Sequence, residues 1–120
     1  MVLSYTGART GRRYRFPIGY FPWGDGEVLS FTSRRWPTGL ARATDVQLRI
    51  RGHVVSATPD IVGGHADKMQ LLRAFADRYG PRVAKRLQLG LPGDRQPSDD
   101  DLTAAAANTT IIQFRTQLPA

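Results

Sequence analysis

Val46-Gln47-Leu48-Arg49-Ile50-Arg51-Gly52, running on into His53–Thr58, is the stretch whose reading decides the architecture. Val46, Leu48 and Ile50 alternate with Gln47 and Arg49. That period of two puts the apolar side chains on one face of a strand and the polar ones on the other. Arg51-Gly52 turns the chain, and His53–Thr58 returns as the antiparallel partner.

Working back toward the N-terminus, Ser33–Ala43 is a basic connector, and Glu27–Thr32 precedes it as a strand. Pro22-Trp23-Gly24-Asp25-Gly26 is a turn cluster. Before it, Tyr14–Phe21 alternates, with Phe16, Ile18 and Tyr20 on one side and Arg15, Pro17 and Gly19 on the other. Pro17 calls for an edge or a bulge. The reading pairs Tyr14–Phe21 with Glu27–Thr32 as a hairpin. Val2–Thr6 is a short strand entering the loop Gly7-Ala8-Arg9-Thr10-Gly11.

Toward the C-terminus the period changes. Met69, Leu72, Ala76 and Tyr79 share a helical stripe, with Phe75 beside it. Gly80-Pro81 ends that helix, and Arg82–Leu89 can form another short one. Ser98 followed by Asp99, Asp100 and Asp101 is a helix start: a capping hydroxyl, then acids at the positive end of the dipole. Residues 99–107 are an Ala-rich helix, and Thr110–Gln117 is a last strand. The order predicts one domain over residues 1–120, a small β-barrel or an α+β sheet, with about six strands and two or three helices.

The 120 residues carry no cysteine, which excludes disulfides, zinc-thiolate sites and thiol nucleophiles. No apolar stretch approaches a membrane span, and Met1–Gly11 lacks the apolar core of a secretory signal. The expectation is a cytoplasmic protein. The net charge is +7, and fifteen of the seventeen basic residues are arginine. Residues 1–51 hold nine of them against Asp25, Glu27 and Asp45. An arginine-rich half suits an anionic partner, because the guanidinium fork grips carboxylate and phosphate oxygens in pairs. Arg-rich composition also follows from a GC-rich genome, which explains the total charge better than its clustering.

Two constellations carry chemistry. Thr6–Gly11 followed by Arg12, Arg13 and Arg15 reads as an anion cradle, with glycines for close backbone approach and arginines for charge; otherwise it is a solvated basic connection. It is neither a Walker loop nor a dinucleotide fingerprint. Ser33-Arg34-Arg35-Trp36 reads as a hydroxyl and guanidinium beside an aromatic wall; otherwise it is an exposed loop whose Trp packs on the barrel. His53 and His65 lack partners at metal-ligand spacing, so no metal site is expected. Asp99–Asp101 is better read as helix capping than as a carboxylate cluster. No catalytic-triad pattern is present, so any reaction belongs to a cofactor.

Leu3-Ser-Tyr-Thr-Gly-Ala-Arg-Thr-Gly-Arg12 resembles the opening motif of the deazaflavin-dependent nitroreductase family, in the split β-barrel flavin reductase superfamily. Pro17, Ser33, the segment Trp36-Pro-Thr-Gly-Leu40-Ala-Arg-Ala-Thr-Asp-Val46, and Thr110-Ile-Ile-Gln-Phe-Arg115 continue the resemblance in order. The resemblance implies a split β-barrel, an α+β fold of about six mostly antiparallel strands, binding the deazaflavin coenzyme F-420, with flavin mononucleotide (FMN) as the alternative. It implies cofactor contacts at Arg9, Thr10, Gly11, Arg13, Arg15, Pro17, Ser33, Arg34 and Trp36, and a catalytic role for Ser33. The reaction implied is hydride transfer from reduced cofactor to an electron-poor acceptor (enone, quinone or nitroaromatic), in a homodimer. This chain departs from the pattern at Ala8, Tyr14 and Gly39, and its loop between Ser33 and Trp36 is short. A non-catalytic flavin or deazaflavin carrier of the same fold is the second expectation, and a basic nucleic-acid-binding barrel the third.

Overall fold

The computed structural model describes residues 1–34 and 36–117. It is α+β, with seven strands and four helices: β1 (Val2–Thr6), β2 (Arg13–Pro17), β3 (Phe21–Pro22), β4 (Glu27–Thr32), α1 (Pro37–Leu40), β5 (Thr44–Ile50), β6 (His53–Ile61), α2 (His65–Tyr79), α3 (Pro81–Lys85), α4 (Asp99–Ala107) and β7 (Thr110–Thr116). Two compact units divide the chain. One is Met1–Ile61 with residues 111–117; the other is Val62–Thr110.

The first unit is a curled sheet of order β2-β1-β5-β6-β7-β4-β3. The registers are antiparallel, with Leu3 opposite Phe16 and Leu48, and Leu48 opposite Val55. The β5–β6 hairpin turns on Arg51 and Gly52, both at positive φ (52° and 80°), as the two-residue turn requires. The alternation along β5 buries Val46, Leu48 and Ile50, which pack with Leu3, Tyr5, Val28, Leu40, Ile112 and Phe114. The sheet's other face presents Ser4, Arg15, Gln47 and Arg49.

The two edge strands, β2 and β3, are consecutive in the chain and joined only by Ile18, Gly19 and Tyr20. Four peptide steps cover at most about 15 Å, so a seven-stranded sheet meets that limit only by curling. The link is tied at two points. Ile18 exchanges hydrogen bonds with Met1, its amide donating to the Met1 carbonyl (3.0 Å) and the Met1 amine to the Ile18 carbonyl (3.1 Å). The buried Ser30 hydroxyl of β4 donates to the Gly19 carbonyl at 2.8 Å. The strand expected over Tyr14–Phe21 is therefore two strands with different partners. Its first half pairs with β1, and only Phe21 and Pro22 pair with β4.

In the second unit α2 buries Leu72, Phe75 and Ala76, and α4 buries Leu102, Ala105 and Ala106; the two helices pack together. Gly80 stops α2 at φ 87°, a conformation that suits glycine, and Pro81 opens α3. Among the described residues no helix is long and apolar enough to cross a membrane.

Candidate functional site

The Gly-rich motif is the turn of the β1–β2 hairpin, closed by the pair Thr6 and Arg13. Gly7 donates to the Arg12 carbonyl and Gly11 to the Gly7 carbonyl, both at 2.9 Å, while the Arg12 amide donates to Thr10 Oγ1 at 3.2 Å. Gly11 takes φ 66°. A Cβ on Gly7 would lie 3.1 Å from the Tyr14 ring, so the tight base of the turn favours glycine. Three of the loop amides thus close the turn. Those of Ala8, Arg9 and Thr10 find no acceptor among the described residues, and neither does the exposed Arg9 guanidinium find a partner. Arg12 stands 5.8 Å over the Tyr14 ring, which stacks on Tyr5 at 5.3 Å. Burial, with a smaller push from Tyr14, raises the Tyr5 pKa.

Arg13 is occupied. Its Nη1 donates to the Asp45 carbonyl (2.8 Å), Asp45 Oδ2 (3.1 Å) and Thr6 Oγ1 (3.1 Å). Its Nη2 donates to Ser4 Oγ (2.9 Å) and, more weakly, to Gln47 Oε1 (3.5 Å). That guanidinium is a clasp across three strands, with little left for a ligand.

The strand-end motif follows β4. Ser33 and Arg34 are exposed, and the Arg34 amide donates to Thr32 Oγ1 at 3.0 Å. Arg35 lies outside the described residues. Trp36 precedes α1 and is half-buried, its ring edge-on to Phe16 with centroids 5.0 Å apart. Phe16 lies three residues from Arg13, so the Trp36 ring stands roughly 10 Å along β2 from the base of the hairpin turn.

The expected site residues therefore fall into separate groups. Arg9, Thr10 and Gly11 sit at the hairpin tip. Trp36 meets Phe16 on the core side of β2, and Arg13, Arg15 and Pro17 occupy the opposite face. Ser33 and Arg34 stand at the exposed end of β4. The alternation of Arg15 and Pro17 against Phe16 already signals this division. A further group escaped the sequence reading: Arg49, Ser4 and Gln47, brought beside Arg15 by the β1–β5 register. Strand alternation turns Gln47 and Arg49 outward, but only the register says what they neighbour. Among the described residues no three His, Asp or Glu side chains gather as metal ligands do.

Neither a scan of protein-family models nor a search of curated proteins returns a match to this chain.

Proposed function

We propose that this chain binds an anionic, flat-ringed redox cofactor of the deazaflavin type and uses it to reduce an electron-poor small molecule, an enone, quinone or nitroaromatic. One observation carries the reading. The hairpin whose tip carries Arg9, without a partner among the described residues, also presses Phe16 against a half-exposed Trp36, roughly 10 Å along β2 from the base of its turn. An anionic tail and a planar ring separated by such a span match that pair of features.

In this reading Arg9, Thr10 and the amides of residues 8–10 hold phosphate or carboxylate oxygens, and Trp36 walls the ring. Such a cofactor, bound reduced, supplies a hydride. Ser33 and Arg34, solvent-facing at the end of β4, orient the acceptor, and the Ser33 hydroxyl donates to the oxygen on which negative charge develops. Arg13, Arg15 and Pro17 drop out of the contact set: the first is occupied by protein acceptors and the others face away from Phe16. A homodimer and a cytoplasmic location complete the proposal.

The test is a fluorescence titration of the purified protein with the reduced and oxidised deazaflavin, with FMN as control. Saturable binding of the deazaflavin, followed by its oxidation when a quinone or nitroaromatic is added, supports a reductase. Binding without oxidation makes the chain a carrier, and no binding removes the reading.

A further inference from the structure

We infer that the outer face of the first unit's sheet carries a separate anion site, suited to a small phosphate monoester. The site lies on β2, β1, β5 and β6 and does not rest on the cofactor reading. Cross-strand pairing sets two rows of side chains on this face: Arg15, Ser4, Gln47 and Ser56 in one, and Pro17, Val2, Arg49 and Val54 in the next. Between them is a hollow of about 330 Å³.

Two guanidiniums flank it. Arg15 and Arg49 are both exposed, and among the described residues neither guanidinium has a hydrogen bond or ion pair. They sit two strands apart and two residues offset, about 12 Å between Cα atoms, which lets both long side chains converge on one group. Beneath them, Ser4 Oγ accepts from Arg13, leaving its own proton free to donate. No carboxylate lines the hollow; the nearest in the network, Asp45, is already paired with Arg13.

Two unpaired forks and a hydroxyl match a dianion with three terminal oxygens, whereas a lone carboxylate fills one fork and leaves the other empty. The ester side of the ligand also has a surface to meet. Val54 is 60% exposed, the one strongly exposed large apolar side chain among the described residues, and it borders this hollow opposite Arg49, which stands between it and Val2.

The experiment is an amide-shift NMR titration of the whole chain with butyl phosphate, inorganic phosphate and butyrate in parallel, at physiological salt. The expected result is saturating shifts at residues 2–4, 47–49 and 54, with butyl phosphate tightest and butyrate at least tenfold weaker. Arg15→Gln and Arg49→Gln each weaken butyl phosphate at least tenfold. Val54→Asp, a change at an exposed position that folding tolerates, abolishes binding. Arg9→Ala leaves it unchanged, which separates this face from the hairpin tip. Shifts that fail to saturate, that centre on residues 8–11, or that survive Val54→Asp and both glutamine variants overturn the assignment.

Discussion

Arg13 Nη1 donates to both the main-chain carbonyl and the carboxylate of Asp45, at 2.8 and 3.1 Å, joining β2 to β5 across the intervening β1. The contact exists because β5 carries an extra residue. Ser4 pairs with Gln47 but Thr6 pairs with Thr44, so two steps along β1 oppose three along β5. Asp45 sits in that bulge at φ 51°, where the left-handed backbone points its carbonyl and carboxylate at one guanidinium. Aspartate is among the few residues besides glycine that take this conformation cheaply.

Substitutions at Asp45 separate charge from backbone. Asp45→Asn keeps the tolerance for positive φ and loses only an exposed ion pair, so it costs about 0.5 kcal/mol, less in high salt. Asp45→Val adds a β-branched side chain at φ 51° and costs a further 1–2 kcal/mol or so. Urea unfolding of the two variants checks the order; equal losses would mean that the backbone at the bulge carries no strain.

The link between the sheet's edges gives a second test. Ser30 is buried and its hydroxyl donates to the Gly19 carbonyl. Ser30→Ala removes that tie and costs about 1 kcal/mol. Hydrogen exchange should quicken at residues 18–21 while the β5–β6 hairpin keeps its protection. A uniform change across the sheet would show that the tie is not local.

Local chemistry was readable where it decided the outcome alone. The turn at Arg51-Gly52, the cap at Ser98 and the stop at Gly80-Pro81 each follow from residues in contact along the chain, and the antiparallel α+β sheet followed from them. Partner choice was not readable. Phe16, Ile18 and Tyr20 keep one alternation through the link; Pro17 signals an edge or a bulge but does not say that β2 leaves β1 there and the chain crosses to β4. The clasp at Arg13 and the outward grouping of Arg15 with Arg49 depend on the same long-range register. A basic run near the N-terminus therefore read as one cradle, although its side chains stand on different faces.

Acid should open the start of α4, while neutral pH leaves it closed. Arg95 donates to the Asp101 carboxylate at 2.7 Å, and Ser98 adds its amide at 2.9 Å. These contacts, the arginine first, lower the Asp101 pKa to about 2. A depressed folded value means that protonation favours the unfolded chain. The contribution is complete above the ordinary carboxylate value near 4 and is lost as pH falls toward 2. Exchange protection in the first turn of α4 should fall over that window and lose its pH dependence in Asp101→Asn. Ser98→Ala, which removes the other half of the capping box, costs about 1 kcal/mol at neutral pH.

A deazaflavin held at the hairpin tip with its ring along the barrel depends on Arg9 and Trp36 together. A ligand that only decorates the basic tip feels Arg9→Ala and ignores Trp36→Leu. A ligand whose ring lies along the barrel feels both: Arg9→Ala weakens binding at least tenfold through a lost charge-assisted contact, and Trp36→Leu weakens it roughly two- to tenfold through lost ring contact. The two side chains stand on different parts of the hairpin surroundings, with Trp36 against Phe16 and roughly 10 Å from the base of the turn. At that distance the losses should add in the double variant to within about 0.5 kcal/mol. Deazaflavin titrations of the four proteins, with far-ultraviolet circular dichroism as the check on folding, read the cycle directly. A Trp36→Leu protein that folds and binds as tightly as the parent would take the ring away from the barrel wall and leave only an anion at the hairpin tip.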